Sequence, residues 1–203
     1  IYNRDLYLVN LIKILNKIKP QRIYIAADGP HSAENSEKCE ITRKKIEELI
    51  TWECTIKKKY RSENVGCKTN INEGLDWFFY HEKMGIILED DCDPSESFFH
   101  YCGELLIKYE NVENIKMISG NFYYENEILN KQNTNSYFFS KRPGTHGWAT
   151  WRRAWNQNNQ KMLGWNKFID FLWLFIFFKF NFVKSHYFYK KFNDSYLNKI
   201  KSW

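Results

Sequence analysis

Four carboxylates lie within five residues, at Glu89, Asp90, Asp91 and Asp93, directly after the apolar residues 86–88. Crowded carboxylates repel one another unless a cation lies among them. Mg²⁺ and Mn²⁺ prefer oxygen ligands and often take one or two carboxylates together with the phosphates of a substrate. The spacing therefore indicates a divalent-metal site that takes a phosphorylated ligand, and an acidic solvent-exposed loop is the simpler alternative.

The apolar run before the acids is typical of a strand buried on both faces of a parallel sheet. If the strand continued, Glu89, Asp91 and Asp93 would share one side and Asp90 would lie on the other. Ligands of α/β proteins bind at the carboxyl ends of strands, which is where these acids fall. The order of the residues thus predicts a ligand site at one edge of a sheet.

The residues that follow the acids predict the start of a helix. Asp93 suits the N-cap, Pro94 the first helical position, and Glu96 the partner position of a capping box. On that interpretation Asp93 has a structural role, and metal binding falls to the acids before it.

Apolar spacing over the first 120 residues alternates between helix and strand. It predicts helices at 5–19, 36–51, 67–83 and after the acids, with strands at 22–27, 52–57, 86–88 and 115–119. This alternation predicts the α/β class, a single domain with a mostly parallel sheet and helices on both faces. Further on, we expect a polar loop at 121–136, a short strand at 137–140 and a short helix at 150–156.

Residues 168–183 are dense in Phe, Leu, Ile and Trp. The uninterrupted apolar part, residues 171–178, is shorter than the about 20 residues that span a bilayer. A helix that packs against the core is the simpler interpretation. An interfacial membrane helix is the alternative, because Lys179, Lys184, Lys190 and Lys191 surround the run.

The 203 residues carry a net charge of +6 with basic and acidic residues interspersed. That pattern favours anionic ligands such as phosphates, or peripheral association with a membrane surface, and argues against a nucleic-acid partner. The five cysteines are odd in number and form no C-x-x-C pair, which favours reduced thiols and a cytoplasmic location, with the inner face of a membrane as a variant. Because the chain begins at Ile1 without Met, we expect a piece of a longer protein, truncated at both ends.

Several short segments occur in an order that resembles nucleotide-diphospho-sugar glycosyltransferases of the Rossmann-like GT-A fold. They are Asn-Arg at 3–4, Ala-Ala-Asp-Gly-Pro at 26–30, Asn-Val-Gly-Cys-Lys at 64–68, Ile-Leu-Glu-Asp-Asp at 87–91, Ile-Ser-Gly-Asn at 118–121 and Gly-Trp-Ala-Thr-Trp at 147–151. The order is similar to that of bacterial sugar transferases and, more distantly, of N-acetylglucosaminyltransferase I. The resemblance implies a nucleotide-sugar-binding core at 1–155, whose first strand would mostly precede Ile1, and an aromatic-rich helical segment of the same domain at 156–203.

The resemblance implies transfer of a sugar from a UDP-sugar donor to a glycan or other hydroxyl acceptor, metal-dependent and with inversion. The acidic triplet matches the family's D-x-D motif, so Asp91 is expected to coordinate Mn²⁺ or Mg²⁺. By the same match Asp90 would hold the ribose and Glu89 the transferred sugar. A metal that bridges the diphosphate would stabilise the leaving UDP as a Lewis acid.

Five further residues receive donor-binding roles through the resemblance. Arg4 would approach the pyrophosphate, Asp28 would accept from the uracil N3–H, and Lys68 would reach a phosphate. His146 and Trp148 would lie near donor and acceptor. Each has a simpler alternative: a helix cap for Arg4, turn chemistry for Asp28, a solvated surface position for Lys68, a structural role for His146 and a core position for Trp148.

An inverting transfer also needs a general base, and no residue of the chain shows a motif for it. Asp170 and Asp194 stand without a recognisable context. Relatives place an acidic residue just after a Ser-Trp step, and this chain ends at 202–203 with that step, so the base is expected beyond Trp203.

Two other functional classes fit the same residues. A non-catalytic fragment could hold a nucleotide sugar without turning it over. A phosphohydrolase is the second alternative, because residues 91–95 match a D-x-D-x-S pattern after a strand, in which Asp91 would attack phosphorus and Asp93 would act as the acid.

Overall fold

A computed structural model describes residues 1–121, 136–141, 144–197 and 199. Contacts divide the chain into two compact units. The first comprises Ile1–Val65 and Thr69–Asn156, and the second comprises Gly66–Lys68 and Gln157–Trp203. Most of the loop expected at 121–136, and the Ser-Trp step at 202–203, lie outside the described residues.

Helices and strands alternate through the first unit, which confirms the α/β class. In chain order they are α1 (Asp5–Ile18), β1 (Arg22–Ala27), α2 (Ala33–Leu49), β2 (Thr55–Tyr60), α3 (Cys67–His81), β3 (Met84–Ile87), α4 (Glu96–Lys108), β4 (Ile118–Ser119), β5 (Trp148–Trp151) and α5 (Arg152–Trp155). The predicted helices and strands before residue 120 are present with shifted bounds, whereas residues 137–140 form no strand.

The described strands form two sheets, so the single, mostly parallel sheet that was predicted is not what the described residues form. In one sheet β1 and β2 run parallel, with Arg22 opposite Thr55. In the other, β5 lies between β3 and β4 and is antiparallel to both, with Trp148 opposite Ile87 and Ser119. The sequence prediction made the second half of β5 helical, at Thr150 and Trp151; all four residues of β5 are instead buried in a central strand.

The first residues of the chain lie on the edge of β1 that faces away from β2. The Ile1 amine donates to the Ala26 carbonyl at 2.8 Å, and the Asp28 N–H donates to the Ile1 carbonyl at 3.3 Å. The neighbouring Ala27 carbonyl accepts instead from Arg61, just beyond β2. Alternate groups of a strand point to opposite edges, so Ile1 continues the pairing on the free edge of β1.

Three apolar clusters hold the elements of the first unit together. The first joins α1 to β1 and α2, the second joins α3 to β5 and α5, and the third joins α4 to β4 and β5. In the third cluster Trp151 is almost completely buried, and its indole N–H donates to the Leu106 carbonyl at 2.9 Å. A buried indole with its N–H satisfied stabilises both the strand and the helix beside it.

The residue that caps the N-terminus of α4 is Ser95 and not Asp93, the residue that was expected. The helix begins at Glu96, and the Ser95 hydroxyl accepts from the Phe98 N–H at 3.4 Å. Asp93 is exposed and does not cap the helix, and Pro94 precedes it. The predictions of Asp93 as N-cap and of Pro94 as the first helical residue are therefore wrong. Ser caps about as well as Asp, and the path of the loop after β3 decides which of them reaches the helix end.

The second unit contains two helices among its described residues, α6 (Lys167–Phe177) and α7 (Phe182–Tyr196). Asn166 caps α6 by accepting from the N–H groups of Phe168 and Ile169 at 3.1 and 3.0 Å. Between the helices, Lys179 and Phe180 have positive φ values of 51° and 63°, which turn the chain back on itself. None of the helices that the structure describes is long and apolar enough to cross a bilayer.

Candidate functional site

The acids after β3 lie in a turn, because the strand ends at Ile87. The Cys92 N–H donates to the Glu89 carbonyl at 3.2 Å, and the Glu89 N–H donates to the Cys92 sulfur at 3.3 Å. These two bonds close the segment Glu89–Cys92, which we call the acidic turn. The expected alternation of acids across a strand is therefore wrong, and the turn geometry sets which carboxylates are exposed.

The carboxylates of the acidic turn differ in how deeply they are buried. Asp90 is 9% exposed and accepts from the Tyr2 N–H at 3.1 Å. Asp91 is exposed, and Glu89 is partly buried. Asp90 therefore fixes the start of the chain beside β3 and has little surface left for a ribose, whereas Asp91 is open to a ligand.

Arg4 occupies the N-cap position of α1, but its side chain makes no capping hydrogen bond. Its guanidinium instead donates to Asp91 Oδ2 at 2.9 Å and lies 3.6 Å from Asp90 Oδ1. The helix-cap alternative for the Arg4 side chain is thus wrong. About half of the side chain remains exposed, so the guanidinium can also reach a bound anion.

His146 approaches the same turn from the segment before β5. Its Nδ1 lies 3.9 Å from Asp91 Oδ1 and 3.9 Å from the Cys92 sulfur. The Asn121 side-chain amide donates to the His146 carbonyl, and Gly147, with φ of +72°, accepts from the Gly120 N–H at 3.0 Å. The loop that carries His146 is therefore attached to the end of β4, which holds the imidazole beside Asp91.

The donor atoms of Asp91, Cys92 and His146 all lie within 4.8 Å of one another, so a single ion could contact them. Burial raises the pKa of the Cys92 thiol, which disfavours the thiolate that metal binding needs. The carboxylate and the imidazole are then the better ligands, and together they fit a divalent ion. This donor pair does not by itself select Mn²⁺, because imidazole also suits Zn²⁺.

The charge around the turn favours a cation. Burial raises the pKa of Glu89 above its ordinary value, and the charges of Asp91 and Asp90 raise it further. Burial is the larger cause of this shift, and Asp91 and Asp90 add negative potential at Glu89. Arg4 offsets part of that potential through its contact with Asp91.

Asp28 has a structural role that the structure makes explicit. It is 5% exposed, and its Oδ1 accepts from the N–H groups of Gly29 at 2.9 Å and Val65 at 3.0 Å. The Asn64 side chain donates to the Gly29 carbonyl at 2.7 Å, and a Cβ on Gly29 would overlap the Glu63 backbone. These contacts join the loop after β1 to the loop after β2, and the uracil contact stays a prediction.

Ile1 and Tyr2 connect the two groups of predicted site residues. The Ile1 carbonyl accepts from Asp28, and the Tyr2 N–H donates to Asp90. The Asp28 loop and the acidic turn therefore lie at the same end of the first unit, where β1 and β3 both finish. Asn121 and Cys92 belong to this site although the sequence interpretation assigned them no role. The signal that could have found Asn121 is its place in residues 118–121, one of the segments that carry the resemblance.

One predicted donor-binding residue lies in the core of the first unit. Trp148 is 5% exposed and packs in the core with Leu75, Phe79 and Trp155. This burial fits the core position that was the alternative for Trp148, because the ring has little surface left for a donor or an acceptor. Lys68 is the second residue of α3 and is grouped with the second unit, so its phosphate contact stays a prediction.

Comparisons of the chain with protein-family models, with curated proteins and with solved structures gave no match. The functional interpretation therefore depends on the geometry of the acidic turn together with the sequence resemblance.

Proposed function

We propose that the chain is a glycosyltransferase that moves a sugar from a nucleotide-diphosphate donor, a UDP-sugar, to a hydroxyl acceptor such as a glycan. The observation that carries the proposal is the convergence of Arg4, Asp91 and His146 at the end of β3. A guanidinium, an open carboxylate and an imidazole at the carboxyl end of a strand suit a metal-bound diphosphate. The proposal includes the GT-A fold for the first unit.

Asp91 and His146 are the residues that would hold a divalent ion, Mn²⁺ or Mg²⁺ in this proposal. When bound, such an ion supplies Lewis-acid stabilisation of the charge on the leaving diphosphate. Asp90 supports the site indirectly, because its bond to Tyr2 holds the start of the chain, and with it Arg4, beside the turn.

Arg4 would turn from the Asp91 carboxylate to the phosphate oxygens when the donor binds. The guanidinium is half exposed, and its planar fork suits paired phosphate oxygens. Asp28 would accept from the uracil once the loops after β1 and β2 move apart on donor binding, because the residue is 5% exposed in this structure. Transfer with inversion then needs a base for the acceptor hydroxyl, and we assign that role to no described residue.

Calorimetric titration of UDP-sugars with and without Mn²⁺ tests the proposal. Wild-type protein should bind in the presence of Mn²⁺, and EDTA should weaken binding at least about tenfold. Asp91→Asn should lose the metal-dependent part, whereas Asp93→Asn, a matched change at a nearby exposed acid, should bind like wild type. Equal affinity with and without EDTA would contradict the metal role, and binding that needs Zn²⁺ would contradict the choice of Mn²⁺.

Release of UDP from the donor separates an enzyme from a non-catalytic fragment. An active transferase should release UDP in the presence of an acceptor and retain detectable donor hydrolysis without one. Metal-dependent binding without any release would favour the binding-fragment alternative.

A further inference from the structure

The outer side of α6 is an exposed apolar stripe. Its members recur at spacings of one, four, five and eight residues from the first, so they share one side of the helix. They are Phe168, Ile169, Leu172, Trp173 and Ile176, each between 49% and 78% exposed. We call this surface the α6 stripe.

The opposite side of α6 is also apolar, and it packs against α7. Leu174 is 3% exposed, and Ser185 of α7 is completely buried with its hydroxyl donating to the Leu174 carbonyl at 3.4 Å. The rings of Phe178 and Phe188 stack with centroids 4.8 Å apart. A helix that covers only the protein's own core would carry polar residues on its outer side, so the α6 stripe needs another explanation.

The segment that carries the α6 stripe is positively charged. Residues 157–197 contain six lysines and two acidic residues, a net charge of +4. All six lysines are exposed: Lys161, Lys167, Lys179, Lys184, Lys190 and Lys191. Of the two acids, Asp170 makes a local hydrogen bond near the start of α6, where its Oδ2 accepts from the Asn166 N–H at 2.6 Å. The segment as a whole therefore complements a negatively charged surface.

We propose that the α6 stripe binds the surface of an anionic lipid bilayer. The helix would lie in the plane of the interface with its apolar side among the acyl chains. Lys167 and Lys179 lie at its two ends and can extend their ammonium groups to the headgroups. Trp173 suits that boundary, where the amphipathic rings of Trp and Tyr are enriched.

Charge distinguishes this partner from a second copy of the chain. Two copies that paired through the stripe would bring two regions of +4 together, and like charges oppose association. Lys184, Lys190 and Lys191 lie one helix further from the stripe. Because α7 packs on the side of α6 opposite the stripe, about 10 Å away, salt largely screens these lysines, and the attraction to an anionic surface comes mainly from Lys167 and Lys179. The inference does not depend on the proposed transferase activity.

Vesicle flotation with the whole chain tests the proposal. Wild-type protein should float with vesicles that contain about a quarter phosphatidylglycerol in phosphatidylcholine, and at least about tenfold less with phosphatidylcholine alone. Leu172→Asn/Ile176→Asn should reduce the partition coefficient at least about tenfold. Leu6→Asn/Ile107→Asn is the matched control, because these residues are 78% and 75% exposed in the first unit and should leave flotation unchanged.

A second variant keeps the test decisive if the first misfolds. Lys167→Gln/Lys179→Gln leaves the apolar side intact and should weaken binding to anionic vesicles by about fivefold or more for the pair, with a reduced dependence on salt. Failure of wild type to float with anionic vesicles overturns the proposal, as does an equal loss in the matched control. A wild-type dimer in sedimentation that becomes monomeric in Leu172→Asn/Ile176→Asn, without flotation, would assign the stripe to a second copy.

Discussion

Arg4 and Asp91 are 87 residues apart in the sequence, and 2.9 Å separates Nη1 of Arg4 from Oδ2 of Asp91. The same carboxylate faces His146 through its other oxygen, at 3.9 Å. Asp91 therefore has a permanent positive charge on one side and a neutral or charged imidazole on the other. A metal ion at Asp91 competes with Arg4, whereas a metal-bound diphosphate offers Arg4 a new partner.

Replacement of Arg4 should separate metal binding from nucleotide binding. In Arg4→Gln the competing charge is absent, so Mn²⁺ alone should bind about two- to fivefold more tightly, the range of an exposed ion pair. The Mn²⁺-dependent affinity for UDP should fall instead, because the phosphates lose a donor. Calorimetry with Mn²⁺ alone and with Mn²⁺ plus UDP measures both.

Lys17→Gln is the control for that experiment, since it removes an exposed ion pair to Glu96 outside the acidic turn. It should change neither affinity. If Arg4→Gln weakens the binding of Mn²⁺ and the binding of UDP to the same extent, Arg4 acts only by holding the acidic turn in place.

Asp28→Ala and Asp28→Asn should differ in stability. The Ala variant leaves the buried N–H group of Gly29 and the partly buried N–H group of Val65 without an acceptor and should lose about 1–3 kcal/mol of unfolding free energy. Asn keeps an oxygen in place of Oδ1 and should retain most of that stability. Both variants should weaken uridine nucleotides more than pyrophosphate, which urea denaturation and calorimetry measure together. A uniform loss for all ligands would restrict Asp28 to its loop.

Ser95→Ala and changes at Asp93 test the corrected helix cap and the phosphohydrolase alternative together. Ser95→Ala should cost about 1 kcal/mol of stability, whereas Asp93→Ala should be nearly neutral because Asp93 is exposed and does not cap α4. Asp93→Asn should keep metal-dependent donor binding. A phosphatase activity abolished by Asp93→Asn in a stably folded protein would favour the phosphohydrolase instead.

The stability of the first unit should depend on pH through Glu47. Its carboxylate accepts from Lys58 at 2.7 Å and from the Tyr60 hydroxyl at 2.8 Å, and mainly the bond from Lys58 lowers the pKa of Glu47 below its ordinary value. Because the pKa of Glu47 is lowered in the folded state, its ionised carboxylate stabilises the protein at pH values above the pKa that Glu47 has in the unfolded chain. That contribution is lost as the pH falls through the folded value.

Urea denaturation of wild type and Glu47→Gln from pH 3 to pH 7 measures this contribution. The difference in unfolding free energy should be largest at neutral pH and should shrink below about pH 4.5, the region in which unfolded Glu takes up its proton. A difference that stays constant over the whole range would show that hydrogen bonding without charge accounts for the contact.

Local patterns predicted the elements of the first 120 residues because each signal is contained in the element itself. The strand β1 stops at Asp28-Gly29, and α1 ends where Lys19 adopts a left-handed conformation before Pro20. The strand β5 was missed for the opposite reason. Four residues carry too little periodicity, and its strand conformation depends on β3 and β4, which lie far from it in the sequence.

By itself, the sequence determined the α/β class of this protein, the position of the acids directly after a strand, and the Asp-Gly-Pro turn. The burial it predicted for both faces of that strand was wrong, because Met84–Ile87 are only partly buried. Only the tertiary structure decided that Arg4 and His146 both reach Asp91, that Asp90 is buried, and that Trp148 belongs to the core. The physical reason is the range of the interactions. Periodicity and turn chemistry act over a few residues, whereas the site is assembled by packing and hydrogen bonds between segments that lie 50 to 90 residues apart, such as His146 with Cys92, at a separation of 54, and Tyr2 with Asp90, at 88.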